Sequence, residues 1–375
     1  MEKKIIFIIS SLDRGGAENS LFKLVKSLGY PSLIITLKKG GYYKKFLRKM
    51  KIEILEVDNK SISNFIKSLT NIFKKLSNCK IRLLHCWMYK SCLIGFLISI
   101  IFNVKNVYWS IRHSDTSNEK GRNYNKYFII RICSLLSKFR KITIIYNSNK
   151  AKIEHQKIGF KKSKSSVIYN GYDHSKYKIK YGEDKILKKK FSLDENKFII
   201  SMFARFHPIK NHLLLFEGFH LLFQEFKNVH LFLAGYRINK QNKNLTRLIS
   251  KFELNDQVTL GGYLDEAELI EAYNMTDITV LTSRSESFPN VIPESMLCGT
   301  PCLATNVGDC KEIIGKYGWI IDSHSPLILK NKILGIIHEK NSSLNNWGKR
   351  KLINRESIIE RFGINASCEK YKDLY

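Results

Sequence analysis

No run of eighteen apolar residues occurs in this chain, which argues against a membrane-spanning helix. The most apolar stretch, residues 92–104, is too short and is broken by Ser99 and Asn103. The run Ile5-Ile6-Phe7-Ile8-Ile9 lacks a small-residue cleavage site after it, so it reads as a first buried strand rather than a signal peptide. Paired cysteines are missing too. The eight thiols, at positions 79, 86, 92, 133, 298, 302, 310 and 368, form no Cys-x-x-Cys pair, and no Cys/His cluster has zinc spacing. Reduced, buried thiols in a cytosolic protein are the expectation.

Carboxylates are scarce, and unevenly so. The chain carries 63 Lys and Arg against 33 Asp and Glu, a net charge of +30. Residues 1–170 hold 34 basic against 9 acidic side chains, and the remainder 29 against 24. A proteome-wide compositional bias would fall on both parts alike. A basic first part suits an anionic partner: membrane lipid, a diphosphate or nucleic acid. For nucleic acid, no helix-turn-helix, RNP or zinc-finger pattern is visible.

What is present is an alternation. With 375 residues and 44% apolar content, the chain has room for two soluble domains. Near-continuous apolar runs at 4–9, 32–37, 52–57, 82–87, 106–111, 143–147 and 166–169 read as buried parallel strands, with amphipathic segments such as 18–28 and 61–76 between them. After the turn Asn170-Gly171-Tyr172-Asp173 and a Lys-rich stretch, a second series follows at 198–204, 229–234, 258–260, 278–282, 301–305 and 319–322. The fold class expected is α/β: two Rossmann-like, doubly wound domains facing a central cleft lined by the carboxyl ends of both sheets. The expected domains are 1–172 and 173–358, with a closing helix over 359–375.

Four constellations carry polar groups suited to chemistry. The first is Glu286-Ser287-Phe288-Pro289-Asn290-Val291-Ile292-Pro293-Glu294, closed by Gly299-Thr300-Pro301. Pro289 suits a helix start, and Gly299 a helix end. The helix start would favour a diphosphate, and Glu294 would project one turn in. Carboxylates accept hydrogen bonds from hydroxyls and stabilise a positive charge developing nearby. The second is Ala204-Arg205-Phe206-His207-Pro208-Ile209-Lys210, whose two cations flank a loop and suit a leaving diphosphate. No Asp-x-Asp motif accompanies them, so a metal-independent reaction with no cofactor is expected. The third is Asp13-Arg14-Gly15-Gly16-Ala17-Glu18, where two glycines allow close backbone approach to a ligand. The fourth follows the strands at 82–87 and 106–111: His85 with Trp87, and Arg112 with His113.

The run Glu-x-Phe-Pro-Asn-Val-x-x-Glu-x-Met-x-x-Gly-x-Pro from Glu286 to Pro301 resembles the E-x7-E signature of retaining glycosyltransferases with the GT-B fold, family 4 (group 1), of the surface-polysaccharide type. The resemblance extends over nearly the whole chain. It is specific over 258–322, good over 201–219 and looser in the first half. It implies that Glu294 holds the ribose hydroxyls of a nucleotide, that Glu286 contacts the transferred sugar, and that Arg205 and Lys210 bind the diphosphate. Phe288, Pro289, Asn290 and Val291 would complete the donor site, with Gly15 and Gly16 closing over the donor phosphates. His113 would touch the transferred sugar; its near-neutral titration also suits a general base. His85, Trp87 and Arg112 would lie on the acceptor side.

Ser287, where the family usually has Gly, and Leu297, where it more often has Ala, depart from the pattern and would crowd the donor backbone. Domain closure would assemble Glu286, Glu294, Arg205, Lys210, His113 and the glycine loop around one site.

The expected reaction moves a hexosyl or N-acetylhexosaminyl group from a UDP-linked nucleoside diphosphate sugar to a glycan hydroxyl, with retention. The acceptor would be lipid-linked, on a polyprenyl diphosphate. The protein would be cytoplasmic and peripheral at the inner membrane face, its basic domain on anionic lipid. A nucleotide-sugar epimerase of the same fold is the competing enzyme; Arg205 and Lys210 together with the two glutamates argue against it.

Overall fold

A computed structural model of the chain describes residues 3–114, 124–139, 142–180, 182 and 184–375. It divides into two compact units, Met1–Gly171 with Ile364–Tyr375, and Tyr172–Gly363.

The first unit alternates strand and helix: β1 (Lys3–Ile9), α1 (Gly16–Leu28), β2 (Ser32–Thr36), α2 (Lys44–Lys49), β3 (Glu53–Glu56), α3 (Ile62–Ser77), β4 (Lys80–Trp87), α4 (Tyr89–Ile101), β5 (Val107–Ile111), α5 (Tyr124–Phe139), β6 (Ile142–Tyr146), α6 (Asn149–Lys157) and β7 (Ser165–Val167). The strands form one parallel sheet in the order β3-β2-β1-β4-β5-β6-β7. Side-chain alternation along β1 explains why both faces are covered. Ile6 and Ile8 point into a core shared with α3, α4 and α5. Ile5, Phe7 and Ile9 point into a second core on the other face, with α1. Ser61 starts α3, its hydroxyl accepting from Asn64 N at 3.1 Å, and Gly29 ends α1 at φ 68°.

The second unit repeats the plan with α7 (Asp184–Lys190), β8 (Phe198–Phe203), a 3₁₀ turn (Pro208–Lys210), α8 (His212–Glu225), β9 (Val229–Ala234), α9 (Lys243–Lys251), β10 (Val258–Gly262), α10 (Glu266–Met275), β11 (Ile278–Leu281), α11 (Val291–Leu297), β12 (Cys302–Thr305), α12 (Cys310–Ile314), β13 (Trp319–Ile321), α13 (Pro326–Ser342) and α14 (Leu344–Phe362). Its parallel sheet runs β10-β9-β8-β11-β12-β13. In each sheet the strand order reverses direction once, between β1 and β4 and between β8 and β11. Ligands of doubly wound sheets bind outside the carboxyl ends of the strands at such a point.

α15 (Ile364–Leu374) returns to the first unit and packs with α1 in its second core. The break before it falls later than the expected 359. α14 runs unbroken to Phe362, and Gly363 is then extended in a parallel bridge with Tyr172, whose N–H donates to Phe362 O at 2.9 Å. A Cβ at Gly171 would lie 2.8 Å from Ile364 Cα, so only glycine lets the start of α15 pass there.

Among the described residues no helix is long and apolar enough to cross a membrane. All eight cysteines are free; seven are buried and Cys79 is half-buried. Burial pushes the Cys298 and Cys302 thiols up to about 12, which keeps them protonated and inert.

Candidate active site

In the second unit, the loops after β8 and β11 meet at the switch point. Several bonds stitch them together. Thr282 Oγ1, just past β11, donates to the carbonyls of Lys210 and Asn211 at 3.1 Å each, and Arg284 N donates to Ile209 O at 2.8 Å. His207 caps the 3₁₀ turn, its Nδ1 accepting from Ile209 N at 3.2 Å, and Asn211 closes it in the left-handed region at φ 53°. The backbone of Lys210 is thereby fixed, and its ammonium donates to Glu286 Oε1 at 2.5 Å. The same oxygen accepts from Ser283 Oγ at 2.6 Å. Both charged side chains are mostly buried, at 19% and 12% exposed, so the pair is electrostatically stronger than a surface one.

The Glu286 loop is braced from β12's far end. Gly308 has φ 58°, and a Cβ there would fall 2.5 Å from Glu286 O. Asp309 N donates to Ser287 O at 3.1 Å. Gly308, Ser283 and Thr282 thus belong to the site, although none of the four sequence constellations includes them.

Glu294 sits on α11, the fourth residue of the helix, and is buried. Its Oε2 accepts from the Tyr273 hydroxyl at 3.1 Å. Burial, reinforced by the Glu294 charge, holds that phenol well above the usual tyrosine range, so it remains a donor. Tyr273, on α10, had no sequence signal beyond helical periodicity. α11 begins at Val291, two residues after Pro289: Asn290 is its N-cap and Pro289 precedes it. Pro293 falls at the third helical position, where a missing N–H costs no helical bond. Arg355 of α14 holds the other end, donating to Leu297 O at 2.6 Å.

Arg205 follows β8 and is exposed, its side chain making no hydrogen bond or ion pair recorded among the described residues. Its backbone is pinned instead. A Cβ at Gly235, φ 147°, would lie 2.6 Å from Ala204 C. Phe288 and Pro289 are buried, the Phe288 ring packing on Tyr172 and Phe362. The Tyr172 hydroxyl donates to Asn290 Oδ1, and Val291 opens α11 half-buried. As donor-binding residues, Phe288 and Pro289 have only backbone to offer; their side chains are core. Ser287 is half-buried beside them, and Leu297 is fully buried.

In the first unit, Gly15 is the N-cap of α1 and Gly16 its first residue. Gly15 is extended, so space and not strain demands glycine: a Cβ would collide with the Glu18 carboxylate, which folds back over the helix start and accepts from Ser11 Oγ at 3.2 Å. His113 lies past the carboxyl end of β5, half-buried, with Lys126 Nζ 3.5 Å from its Nε2.

His85, Trp87 and Arg112, expected on the acceptor side, lie at the carboxyl ends of β4 and β5 beside α15. His85 is fully buried; its Nδ1 meets Tyr375 OH at 2.5 Å and its Nε2 meets Ser110 Oγ at 2.7 Å. Burial holds its imidazole well below the usual range, with the Arg112 charge adding to the effect. Trp87 is fully buried under the Arg112 guanidinium, 4.4 Å from the ring centroid. Arg112 itself donates to Asn170 Oδ1 and to Tyr371 OH, the latter at 2.5 Å. Arg112 thereby ties β5 to α15, and His85 ties β4 to the last residue of the chain.

Residues 183–352 match the family model of glycosyl transferases group 1. N-acetyl-alpha-D-glucosaminyl L-malate synthase of Bacillus anthracis is 26% identical over 213 residues, 56% of this chain and 52% of that protein. The serotype-specific mannosyltransferase WbdA of Escherichia coli is 31% identical over 141 residues, 36% of this chain and 17% of that one. The chain thus spans about half or less of the length of these curated relatives. HepE of Anabaena, solved in complex with UDP and glucose, superposes with a TM-score of 0.83 at 22% identity, covering 99% of this chain and 98% of that one. Residues 183–352 are accordingly a glycosyl transferases group 1 domain, in a chain whose two parallel-sheet units have the GT-B fold.

Proposed function

We propose that the chain is a retaining, metal-independent glycosyltransferase whose second unit binds a UDP-linked hexose or N-acetylhexosamine. The observation that carries this is the Lys210–Glu286–Ser283 cluster with Glu294 one helix turn into α11, all at the switch point of a group 1 domain. Arg205 and Lys210 take the diphosphate and neutralise its charge as it leaves, the task a metal performs elsewhere. Glu294, held by Tyr273, accepts from the ribose hydroxyls. A diphosphate competes with Glu286 for Lys210, which frees the Glu286 carboxylate for the hydroxyls of the sugar. The bond from the anomeric carbon to the diphosphate breaks, the bond to the acceptor oxygen forms on the same face, and the acceptor proton passes to the departing diphosphate. The complex of HepE with UDP and glucose supports the choice of nucleotide.

The acceptor is a glycan hydroxyl, carried on a polyprenyl diphosphate and taken by the first unit, where His113 and the Gly15-Gly16 loop lie at strand carboxyl ends. The role is bacterial surface-polysaccharide assembly (O-antigen, capsule or exopolysaccharide), a reading supported by the similarity to a serotype-specific mannosyltransferase. The basic first unit rests on anionic lipid at the inner face of the cytoplasmic membrane, each nearby Lys or Arg contributing about 1 kcal/mol.

Thermal unfolding with UDP, GDP, ADP and dTDP, with and without EDTA, tests the reading. A nucleotide at 100 times its Kd adds roughly 2.7 kcal/mol to the folded state. Stabilisation by UDP, unchanged by EDTA and lost in Glu294→Ala, is expected. Stabilisation by none of the four would sink the proposal.

A further inference from the structure

One side of the first unit is unlike the rest of the molecule. α3, α4 and α5 cover the same face of its sheet: all three contribute to one core, α4 packs on α5, and Phe73 of α3 meets Phe102 at the end of α4 at 5.8 Å. Each helix also carries an apolar stripe on its outer side. On α3, Ile62, Phe65, Ile66 and Phe73 are exposed, Ile62 to 80%. On α5, Tyr124, Phe128, Leu135 and Phe139 recur at four- and seven-residue spacing, Phe139 at 78% exposed. α4 is apolar almost all round, and Leu97, Ile100 and Ile101 project outward. A helix of that composition is ordinarily buried or in lipid. At 13 residues it spans about 20 Å, well short of the ~30 Å hydrocarbon core. On the opposite face of the unit, among the described large apolar side chains, only Tyr42 is exposed.

The charge on these three helices has one sign. From Asn59 to Ser114 the sequence has no Asp or Glu, and none occurs from Tyr124 to Ile153. Lys67, Lys74, Lys90, Arg131 and Lys138 are exposed on the same three helices. Exposed apolar stripes flanked by cations, with no carboxylate on the helices that carry them, suit the headgroup–acyl boundary of an anionic bilayer: the cations meet lipid phosphates and the rings enter the acyl chains. A protein partner would need carboxylates placed against each scattered lysine; a lipid surface supplies anions everywhere. We propose that the outer side of α3, α4 and α5 inserts into the interface of an anionic membrane without crossing it. The inference rests on the membrane reading of the first unit and assigns it a face and a mode.

The test is sedimentation of the full chain with vesicles of phosphatidylglycerol and phosphatidylcholine, or of phosphatidylcholine alone, at ~150 mM salt. The combined variant Ile62→Ser, Leu97→Ser, Phe128→Ser, Phe139→Ser is expected to bind the anionic vesicles on the order of 100-fold more weakly, with stabilisation by UDP unchanged. Separately, Phe139→Trp is expected to shift its emission to the blue on vesicles and to be quenched by brominated acyl chains. Undiminished binding of the fourfold variant, or no shift from the new tryptophan, overturns the face while leaving peripheral binding by charge. A wild-type chain that ignores anionic vesicles overturns both. A wild-type dimer that the same substitutions convert to monomer, with no vesicle binding, gives the face to a second copy instead. In every case nucleotide stabilisation reports the catalytic reading independently.

Discussion

The two units are built on one plan and spend it differently. Each has a parallel sheet whose order reverses beside its first strand, and in each a polar residue stands close to that reversal. In the second unit the polar groups lie in loops beyond the strands: Lys210, Glu286 and Ser283 bond to one another, and Arg205 reaches outward. In the first unit His85 lies within β4, and the last helix of the chain takes it. Tyr375 and Ser110 occupy both its ring nitrogens, and Arg112 bridges Trp87, Asn170 and Tyr371. A polar side chain inside a buried strand must be satisfied by the fold, whereas one in the loop after it is available to a ligand.

The sharpest way to break that contrast is to remove the ion pair in the second unit. Lys210→Ala and Glu286→Gln are each expected to lower turnover by about 10²–10³-fold, the scale of a lost group that stabilises developing charge. Lys210→Ala also removes the cation beside a mostly buried carboxylate, which costs about 3 kcal/mol of that unit's stability. The double variant should recover much of the stability and none of the turnover. Denaturant titration and a single-turnover assay with the proposed nucleoside diphosphate sugar separate the two effects. Activity that survives Lys210→Ala would place the pair with the structural clusters of the first unit.

The counterpart is Arg112→Ala. It removes donors to Asn170 and Tyr371 and uncovers Trp87, so a loss of about 3 kcal/mol in the first unit is expected, with α15 released. Hydrogen exchange should show faster amides over 364–374, while stabilisation by UDP stays unchanged. If exchange in α15 is untouched and only acceptor use falls, Arg112 returns to the acceptor side.

Why was one unit's chemistry legible in sequence and the other's not? All thirteen described strands overlap the apolar runs; strands buried on both faces, such as β1, β2 and β5, have no polar alternative, while β3, β7 and β10 at sheet edges are only half-buried. The E-x7-E segment was legible through its resemblance to a family signature; helix-start and helix-end residues bracket only Glu294, while Glu286 lies in the loop before them. His85 and Arg112 were not. Their partners, Tyr371 and Tyr375, lie more than 250 positions away, and no local pattern announces a terminal helix that folds back onto β4 and β5. Tyr273 and Gly308 were missed for the same reason: each braces a carboxylate residue or its loop from a different element.

The finest comparison sets one buried histidine in each unit against the other. His155 in the first unit and His212 in the second are both lowered to about 4, chiefly by burial. Unfolded, each titrates near 6.5. The unfolded chain therefore binds more protons between about pH 4 and 6.5, so stability is fully present above 6.5 and is lost as pH falls toward 4. By about pH 5 each histidine accounts for roughly 2 kcal/mol of that loss. They differ in what they return. His155 meets Tyr89 OH and Ala151 O at 2.7 Å each, whereas neither ring nitrogen of His212 has a hydrogen-bond partner among the described residues. Replacing His212 by Leu is expected to be neutral, or to stabilise by up to about 1 kcal/mol, at pH 7 and to gain about 2 kcal/mol more at pH 5. Replacing His155 by Leu should cost about 2 kcal/mol at pH 7, a deficit that shrinks toward zero at pH 5. Urea unfolding of both variants at the two pH values decides the point. A His212→Leu variant destabilised at pH 7 that still gains about 2 kcal/mol at pH 5 would mean that the ring holds the start of α8 through packing, and Phe206, whose ring centroid lies 5.0 Å away, would be the residue to replace next; equal effects at both pH values would overturn the lowered titration itself.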